Sequence, residues 1–230
     1  AERIAWGKFL NAGQTCVAPD TVYVQRSMAD QFIKNMIHVI ERFYGSQPAN
    51  SPDYGAIINH THVERLARYC TNVRIITGGT YNEQTRYFSP TLVTDIPDGH
   101  PLLAEEIFGP ILPIIPFDDL EQIIASLQGK PKPLALYIFS QSRSRQHVIL
   151  QSVPSGTACI NDTVKQTASP YLPFGGIQES GMGRYHGKAS FDCFTHFRSL
   201  YKTGFWGLRF HYPPYKTPIS FIKRLFRLFT

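Results

Sequence analysis

Two kinds of hydrophobic pattern alternate along the chain. Short apolar runs rich in β-branched and aromatic residues predict strands at 21–24, 74–79, 87–93, 111–117, 134–139 and 157–160. Apolar residues that recur every three to four positions predict helices at 1–10, 27–42, 61–69, 120–127 and 143–151. Strands that alternate with helices are typical of an α/β domain, and we expect a mostly parallel sheet flanked by helices.

Three details sharpen this prediction. The run at 134–139 is continuously apolar, which is typical of a strand that is buried on both faces. Asp118 or Asp119 stands where a helix at 120–127 needs a side-chain cap. The Asn-Ala-Gly sequence at 11–13 is expected to end the first helix, because glycine commonly terminates helices.

The charge divides the chain into two parts. Overall, 23 Lys and Arg residues outnumber 17 Asp and Glu residues, for a net charge of +6. Residues 1–197 hold 16 of the basic residues and all 17 acidic ones, so the excess of positive charge lies in residues 198–230. We therefore expect a near-neutral body at 1–197 and a basic tail at 198–230. A neutral body gives no support for nucleic-acid binding.

The four cysteines lie far apart, at positions 16, 70, 159 and 193. No paired spacing indicates a zinc site or a dithiol redox motif, so we expect no metal and reduced cysteines in a cytoplasmic protein. The sequence shows no signal-peptide pattern and no apolar run of about 18 residues that could span a bilayer. Because the chain begins with Ala1 rather than Met, we interpret it as processed or as a piece of a longer protein.

Cys16 is the first candidate for chemistry. It follows the break of the first helix at Gly13, on a turn where backbone N–H groups are free. This environment suits a nucleophilic thiolate, since nearby amides can stabilise an oxyanion formed from a carbonyl target. The alternative is a buried and inert cysteine, which is the commoner fate of a free thiol.

Two further segments carry candidate chemistry. In the segment 104–110, Glu105 and Glu106 precede Phe108 and a Gly-Pro turn, and a carboxylate beside a ring can bind sugar hydroxyls or act as a base. The alternative for this segment is a solvated acidic turn. The loop at 172–184 holds four glycines and could cradle a phosphate, but no strand-to-helix dinucleotide fingerprint surrounds it.

Taken in order, the three segments resemble the aldehyde dehydrogenase superfamily. The resemblance rests on Gly-Gln-Thr-Cys at 13–16, Glu-Glu-Ile-Phe-Gly-Pro at 105–110 and the glycine loop at 173–183. The motifs at 132–137 and 185–192 resemble its class 3 branch, which includes the fatty aldehyde dehydrogenases. The likeness runs continuously over about residues 1–200.

The resemblance implies a reaction and a role for several residues. Cys16 corresponds to the nucleophile, which forms a thiohemiacetal whose oxyanion is held by the cysteine's own N–H and an Asn side chain. Hydride then passes to NAD or NADP, and water hydrolyses the resulting thioester. Glu106 corresponds to the carboxylate that binds the nicotinamide ribose, Phe108 to the ring beside it, and Phe174 to an aromatic of the substrate channel. The implied substrate is a medium- or long-chain aliphatic or an aromatic aldehyde.

Helical spacing adds two residues to this site. Trp6 and Leu10 lie four positions apart on a helix face directed toward Cys16, where they could line an apolar tunnel. The alternative for this pair is ordinary core packing. Glu106 as a general base is a second open alternative, although the resemblance assigns this carboxylate to the cofactor.

The departures from the family pattern define what this chain lacks. In the family, three features precede the cysteine: the dinucleotide-binding domain, the oxyanion Asn and the Glu that activates water. In this sequence only 15 residues precede Cys16. We therefore expect a catalytic half that does not turn over aldehyde alone. Arg184 stands where class 3 members often carry a small residue. The competing hypothesis is a non-catalytic half-protein that dimerises or binds a membrane surface.

The tail carries two further expectations. The aromatic-rich segment 199–210 corresponds to the family's oligomerisation strand, which implies a homodimer. Apolar residues at 219, 222, 226 and 229 are spaced as on one helix face, with basic residues at 223, 224 and 227 elsewhere. A basic amphipathic helix suits an anionic membrane surface, so residues 213–230 are expected to make the protein peripheral on a membrane. The alternative is a helix packed on a protein body.

Overall fold

The computed structural model describes residues 1–204, 212–214 and 218–227. The chain separates into two compact units, Ala1–Phe194 and Thr195–Thr230. The helices of the described part are α1 (Glu2–Phe9), α2 (Arg26–Tyr44), α3 (His60–Tyr69), α4 (Pro101–Ala104), α5 (Leu120–Gln128), α6 (Arg143–Ser152), α7 (Lys165–Ala168), α8 (Gly187–Cys193) and α9 (Ile219–Phe226). Its strands are β1 (Val22–Gln25), β2 (Arg74–Thr77), β3 (Tyr81–Asn82), β4 (Tyr87–Phe88), β5 (Thr91–Thr94), β6 (Ile111–Phe117), β7 (Ala135–Ile138) and β8 (Thr157–Ile160).

The larger unit is built on a four-stranded sheet in the order β1-β6-β5-β2. Strand β6 pairs in parallel with both β1 and β5, whereas β2 is antiparallel to β5. A separate sheet joins β7 and β8 in parallel, and β3 and β4 form a short antiparallel pair. The expected α/β class with a mostly parallel sheet is confirmed.

Two apolar clusters hold this sheet. One packs α1 and α2 on the sheet through side chains that include Phe9, Met36 and Leu112. The other packs α3 against the strands and includes Leu66 and Ile107. Each of these five side chains is completely or almost completely buried, as expected where an amphipathic helix covers a sheet.

Several sequence predictions match the structure closely. Strands were expected at 111–117 and 157–160, which are the bounds of β6 and β8. The carboxylate of Asp119, rather than that of Asp118, caps α5 by accepting a hydrogen bond of 2.8 Å from the Glu121 N–H. Each of these matches follows from strong local signals, namely β-branched runs and a side-chain cap.

Two predictions were wrong in part. The single strand expected at 87–93 is split into β4 and β5, because Pro90 has no N–H to donate and the chain changes partner there from β3 to β6. The run at 134–139 is not buried on both faces. Among residues 1–204, 212–214 and 218–227, β7 pairs only with β8, its first three residues are half-buried, and Phe139 is 42% exposed.

The smaller unit has one helix in its described part, α9. Residues 199–204 form neither helix nor strand, and 205–210 lie outside the described residues, so the oligomerisation strand stays a prediction. Ile219 and Phe221 of α9 are 70% and 58% exposed. Among the residues that the structure describes, no helix has the length and apolar character needed to cross a membrane.

Candidate active site

Cys16 lies on a tight turn where α1 ends. A 3-10 turn at Leu10–Gly13 follows α1, and Asn11 and Ala12 both adopt left-handed backbone angles, with φ of 51° and 52°. The chain therefore reverses direction before it reaches the cysteine. A hydrogen bond of 3.1 Å from the Ala18 N–H to the Thr15 carbonyl closes the next turn and leaves Cys16 exposed. The alternative of a buried cysteine does not hold within this chain.

The side chain of Gln14 fixes this turn to a neighbouring segment. Its amide nitrogen donates to the carbonyl oxygens of Asn11 and Ala56, both at 3.0 Å. Its amide oxygen accepts a hydrogen bond of 2.9 Å from the Ile58 N–H. Three hydrogen bonds from one side chain restrict the turn more than its own backbone bond does.

The turn also contacts the acidic segment through two glycines. Gly13 has a φ of +75°, and a Cβ at this position would overlap the carbonyl group of Gly109. A Cβ at Gly109 would in turn overlap the side chain of Leu66. The structure thus brings the Cys16 turn directly against the segment that carries Glu106 and Phe108.

The main chain of the acidic segment is held from both sides. The Arg65 guanidinium donates to the carbonyl oxygens of Glu106 (3.3 Å) and Ile107 (2.7 Å). The Asp20 carboxylate accepts a hydrogen bond of 3.2 Å from the Ile107 N–H. Phe108 follows with a left-handed φ of 42°. Because the backbone is fixed in this way, the side chains of Glu106 and Phe108 both stay exposed.

The two neighbouring carboxylates have different surroundings. Glu105 accepts a hydrogen bond of 2.6 Å from the Tyr69 hydroxyl, which itself accepts one of 3.0 Å from Arg65. Glu106 has a pKa raised above its usual value, mainly by partial burial and then by the charge of Asp20, while the charges of Arg65 and Lys8 oppose the shift. Glu105 is therefore tied into the structure, and Glu106 is the carboxylate available to a ligand.

Lys8 is an unexpected member of the site. Its side chain is completely buried, and its Nζ has no hydrogen-bond partner among the described residues. Burial lowers the Lys8 pKa to about 8, although the charges of Asp20 and Glu106 favour the ammonium form. Burial also raises the pKa of Asp20, against the effect of Lys8. A buried cation and two carboxylates thus form one electrostatic cluster beside the Cys16 turn.

The three predicted substrate residues have different surroundings. Trp6 and Leu10 are each 38% exposed, so neither belongs to the core and the core-packing alternative does not hold within this chain. Phe174 is half-buried and its ring contacts Tyr185 and His186, at centroid distances of 5.7 and 6.0 Å. The structure joins Cys16 with Glu106 and Phe108, while the ring contacts of Phe174 are made within its own loop region.

Two glycines of the loop at 172–184 pack closely against other parts of the same loop. A Cβ on Gly175 would overlap the carbonyl oxygen of Gly183, and one on Gly176 would overlap that of Ser180. The space next to these glycines is therefore filled by the loop's own backbone. The hypothesis of a phosphate cradle at 172–184 stays a prediction.

Sequence reasoning missed Lys8, Asp20 and Arg65. A signal for Lys8 was present, because it lies four positions after Ile4 and so falls on the same, apolar face of α1. Asp20 and Arg65 carry no local signal. They are distant in sequence from the acidic segment and meet it only in the fold.

Comparison with known proteins decides the family of this chain. The profile described as "Aldehyde dehydrogenase family" matches residues 1–200. The chain belongs to the aldehyde dehydrogenase family. It is 44% identical over 230 residues to the 4,4'-diaponeurosporen-aldehyde dehydrogenase of Staphylococcus aureus, covering 99% of this chain and 50% of that protein.

Two further comparisons within the aldehyde dehydrogenase family agree. The rat protein named "Aldehyde dehydrogenase, dimeric NADP-preferring" is 42% identical over 197 residues, covering 86% of this chain and 44% of that protein. A solved structure of S. aureus AldH in a substrate-bound state superposes with a TM-score of 0.90 at 43% identity, covering 98% of this chain and 50% of that one. The chain spans about half the length of the curated relatives it matches.

Proposed function

We propose that this chain supplies the catalytic half of an NAD- or NADP-dependent enzyme that oxidises a hydrophobic aldehyde to a carboxylic acid. The observation that carries the proposal is the backbone contact of Gly13 with Gly109, which sets the exposed Cys16 turn beside Glu106 and Phe108. A nucleophile and a cofactor-binding segment must lie this close if hydride is to leave the carbon bonded to sulfur.

Covalent attachment is the first step. The Cys16 thiolate adds to the aldehyde carbon, which forms a C–S bond and moves the carbonyl electron pair onto oxygen. The resulting thiohemiacetal oxyanion needs N–H donors, which a main-chain turn such as the one at 15–18 can provide. Oxidation then requires that the C–H bond of the thiohemiacetal break with its electron pair leaving as hydride, which produces a thioester on Cys16.

The residues of the acidic segment fit a nicotinamide cofactor. Glu106 presents an exposed carboxylate that can accept hydrogen bonds from ribose hydroxyls, and Phe108 presents a ring that is 39% exposed beside it. Arg65 and Asp20 hold the backbone between these side chains, so both approach a ligand from a fixed frame. The cofactor, when bound, supplies the hydride acceptor.

Release of the acid completes the reaction. Water adds to the thioester carbonyl and the C–S bond breaks, which gives the carboxylic acid and regenerates the Cys16 thiolate. The raised pKa of Glu106 makes this residue a possible proton acceptor for the water. We nevertheless assign Glu106 to the cofactor, because a carboxylate that holds ribose hydroxyls is not free to take a proton from water.

A hydrophobic aldehyde is the substrate class that the surface favours. Trp6 and Leu10 expose apolar surface on the helix that leads into the Cys16 turn. The S. aureus relative is named as a 4,4'-diaponeurosporen-aldehyde dehydrogenase. We extend this to medium- or long-chain aliphatic and aromatic aldehydes, with Phe174 as a further channel residue. We also propose a homodimer, in line with the dimeric rat relative, located in the cytoplasm.

A chimaera tests the proposal. Residues 1–230 replace the matching half of the S. aureus relative, so that its other half completes the enzyme. Oxidation of a long-chain aldehyde is followed by NADH or NADPH formation, and the covalent intermediate is trapped by acid quench and located by peptide mass spectrometry. We expect activity, with an acyl adduct on the peptide that contains Cys16.

Two cysteine variants make the test specific. Cys16→Ala should abolish turnover and the adduct. Cys193→Ala removes the other exposed cysteine and should change neither. Turnover that survives in Cys16→Ala would refute the proposed nucleophile, and an inactive parent chimaera that binds cofactor normally would favour the non-catalytic half-protein.

A further inference from the structure

The hydroxyl of Tyr137, on β7, joins three parts of the chain. It donates a hydrogen bond of 2.7 Å to the carbonyl oxygen of Val17, the residue after Cys16. It accepts one of 3.2 Å from the Val164 N–H and one of 3.1 Å from the Gln166 side-chain amide. One donor and two acceptor positions are thus all in use, which is the full capacity of a phenol.

The residue that accepts this hydrogen bond adjoins the proposed nucleophile. Val17 is buried, with 6% exposure, and it directly follows the exposed Cys16. Burial is the main cause that raises the pKa of Tyr137, and negative charge on Cys16 adds to the shift. The phenol therefore stays protonated at neutral pH, and remains a donor to the Val17 carbonyl when Cys16 is ionised.

The same hydroxyl holds a strained residue. Val164 has a φ of 62°, a left-handed conformation that a β-branched residue rarely adopts. The neighbouring Thr163 is completely buried and donates a hydrogen bond of 2.6 Å to the Arg3 carbonyl in α1. Residues 163–164 therefore anchor the helix before Cys16 through Arg3, and the turn after it through Tyr137.

We propose that Tyr137 is a positioning residue for Cys16, supported by Gln166. The proposal rests on the function proposed above, in which Cys16 is the nucleophile. By holding the Val17 carbonyl, the Tyr137 hydroxyl fixes the peptide that follows Cys16, so the sulfur and the N–H groups of the turn keep the geometry needed for attack. Gln166 is 8% exposed and orients the hydroxyl through its amide.

Removal of the hydroxyl is the direct test. Tyr137→Phe keeps the ring and loses the three hydrogen bonds. We expect kcat of the chimaera to fall by about 10- to 100-fold with KM for aldehyde nearly unchanged, because displacement of the nucleophile affects the chemical step. In the 230-residue chain, amide hydrogen exchange of the peptides that cover 14–20 and 162–168 should speed up by about tenfold or more.

The matched control is Tyr54→Phe. It removes a hydrogen bond of the same kind, from the Tyr54 hydroxyl to the Phe88 carbonyl at 2.8 Å. We expect it to lower thermal stability less than Tyr137→Phe does, because it loses one hydrogen bond rather than three, while kcat and exchange at 14–20 stay as in the parent. Equal effects of the two substitutions on kcat and exchange would overturn the positioning role.

A second variant covers the case in which Tyr137→Phe does not fold. Gln166→Leu removes one bond to the hydroxyl, and we expect a smaller loss of kcat in the same direction. The double variant should be no worse than Tyr137→Phe alone, since both act through one hydroxyl. Strictly additive losses would contradict this. If instead Cys16→Ala keeps full turnover, the proposed nucleophile fails, while the exchange data still decide whether Tyr137 anchors the turn.

Discussion

Gly13 and Gly109 touch backbone to backbone, although 95 residues separate them in the chain. Gly13 ends the helix that leads to Cys16, and Gly109 ends the segment that carries Glu106 and Phe108. Neither position has room for a Cβ in the present arrangement. The two glycines therefore set the distance between the proposed nucleophile and the proposed cofactor-binding residues.

Substitution of Gly13 by Ala should damage this contact specifically. The matched control is Gly99→Ala, because Gly99 has a φ of +77°, nearly that of Gly13, but nothing lies within 4 Å of its Cβ position. Both variants bear the cost of a left-handed alanine, about 1–2 kcal/mol. Only Gly13→Ala adds a clash with the Gly109 carbonyl, at about 1–3 kcal/mol more. Urea unfolding of the 230-residue chain measures the loss of stability in each variant. Equal losses would mean that the contact between Gly13 and Gly109 is not tight.

Glu106→Gln should slow hydride transfer. An amide cannot offer ribose hydroxyls the charged acceptor that a carboxylate does, and loss of a charge-assisted hydrogen bond is worth about 1.5–3 kcal/mol. We expect about a tenfold or greater fall in the rate of the first NADH burst in the chimaera, with a larger isotope effect from aldehyde deuterated at C1.

The neighbouring carboxylate provides the control for that experiment. Glu105→Gln changes the carboxylate that binds the Tyr69 hydroxyl and should leave the burst rate near the parent value. A different result for Glu106→Gln, namely a normal burst followed by slow hydrolysis of the thioester, would instead show that Glu106 is the general base.

Lys8 should make stability depend on pH. Its pKa is lowered from the ordinary 10.5 to about 8 in the folded chain, so between these values the unfolded chain binds more protons. The free energy of unfolding therefore rises with pH across this window, by up to about 3 kcal/mol for this one group. Below about pH 8 both states are protonated and the cost of the buried charge is fully present.

The Lys8 effect is isolated by difference. Unfolding free energies of the parent chain and of Lys8→Met are compared at pH 7 and pH 10. We expect the parent to gain relative to the variant as the pH rises. Lys34→Met removes an exposed lysine from α2, and its unfolding free energy should change between pH 7 and pH 10 as that of the parent does. The difference in unfolding free energy between the parent and Lys8→Met should therefore change with pH. If it does not, Lys8 does not titrate in this window.

Local signals account for most of the fold that the sequence predicted. The bounds of β6 and β8 follow from β-branched runs, and the start of α5 follows from Asp119. The short helices α4 and α7 span four residues each, too few for a helical period to show. Local signals also did not predict which strands pair, as the division of the expected strand into β4 and β5 at Pro90 shows. The residue without an N–H was visible in the sequence, but the change of strand pairing was not.

The candidate site divides in a similar way. Cys16, Glu106 and Phe108 could be predicted because each lies in a short motif whose chemistry is recognisable. Their supports, Arg65 and Asp20, act on backbone atoms 41 and 87 residues away, and such contacts leave no mark on the local sequence. Residues proposed to bind a ligand are thus easier to predict than residues that fix the main chain beneath them.

The 230-residue chain by itself should form no NADH or NADPH from aldehyde. It spans about half of its relatives, and the family resemblance places the dinucleotide-binding domain in the other half. Cys16 should nevertheless react with iodoacetamide in the isolated chain, because its turn is complete and exposed. Cofactor reduction by the purified chain, followed at 340 nm and abolished in Cys16→Ala, would contradict this prediction.

The tail should bind anionic membranes through α9. Lys223 and Arg224 are exposed on a helix that also exposes Ile219 and Phe221, which is the combination that an interfacial helix needs. We expect the chain to co-sediment with vesicles containing phosphatidylserine, and to lose most of that binding when residues 213–230 are deleted.

Charge reversal separates an electrostatic contact of α9 from general stickiness. Lys223→Glu with Arg224→Glu should weaken binding to anionic vesicles by about tenfold or more, at about 1 kcal/mol per basic residue. Arg143→Glu with Arg145→Glu changes the net charge equally, on exposed positions of α6, and should have a much smaller effect. Binding that survives deletion of 213–230 would refute the membrane role. If the two double variants lose vesicle binding equally, net charge rather than α9 determines the binding.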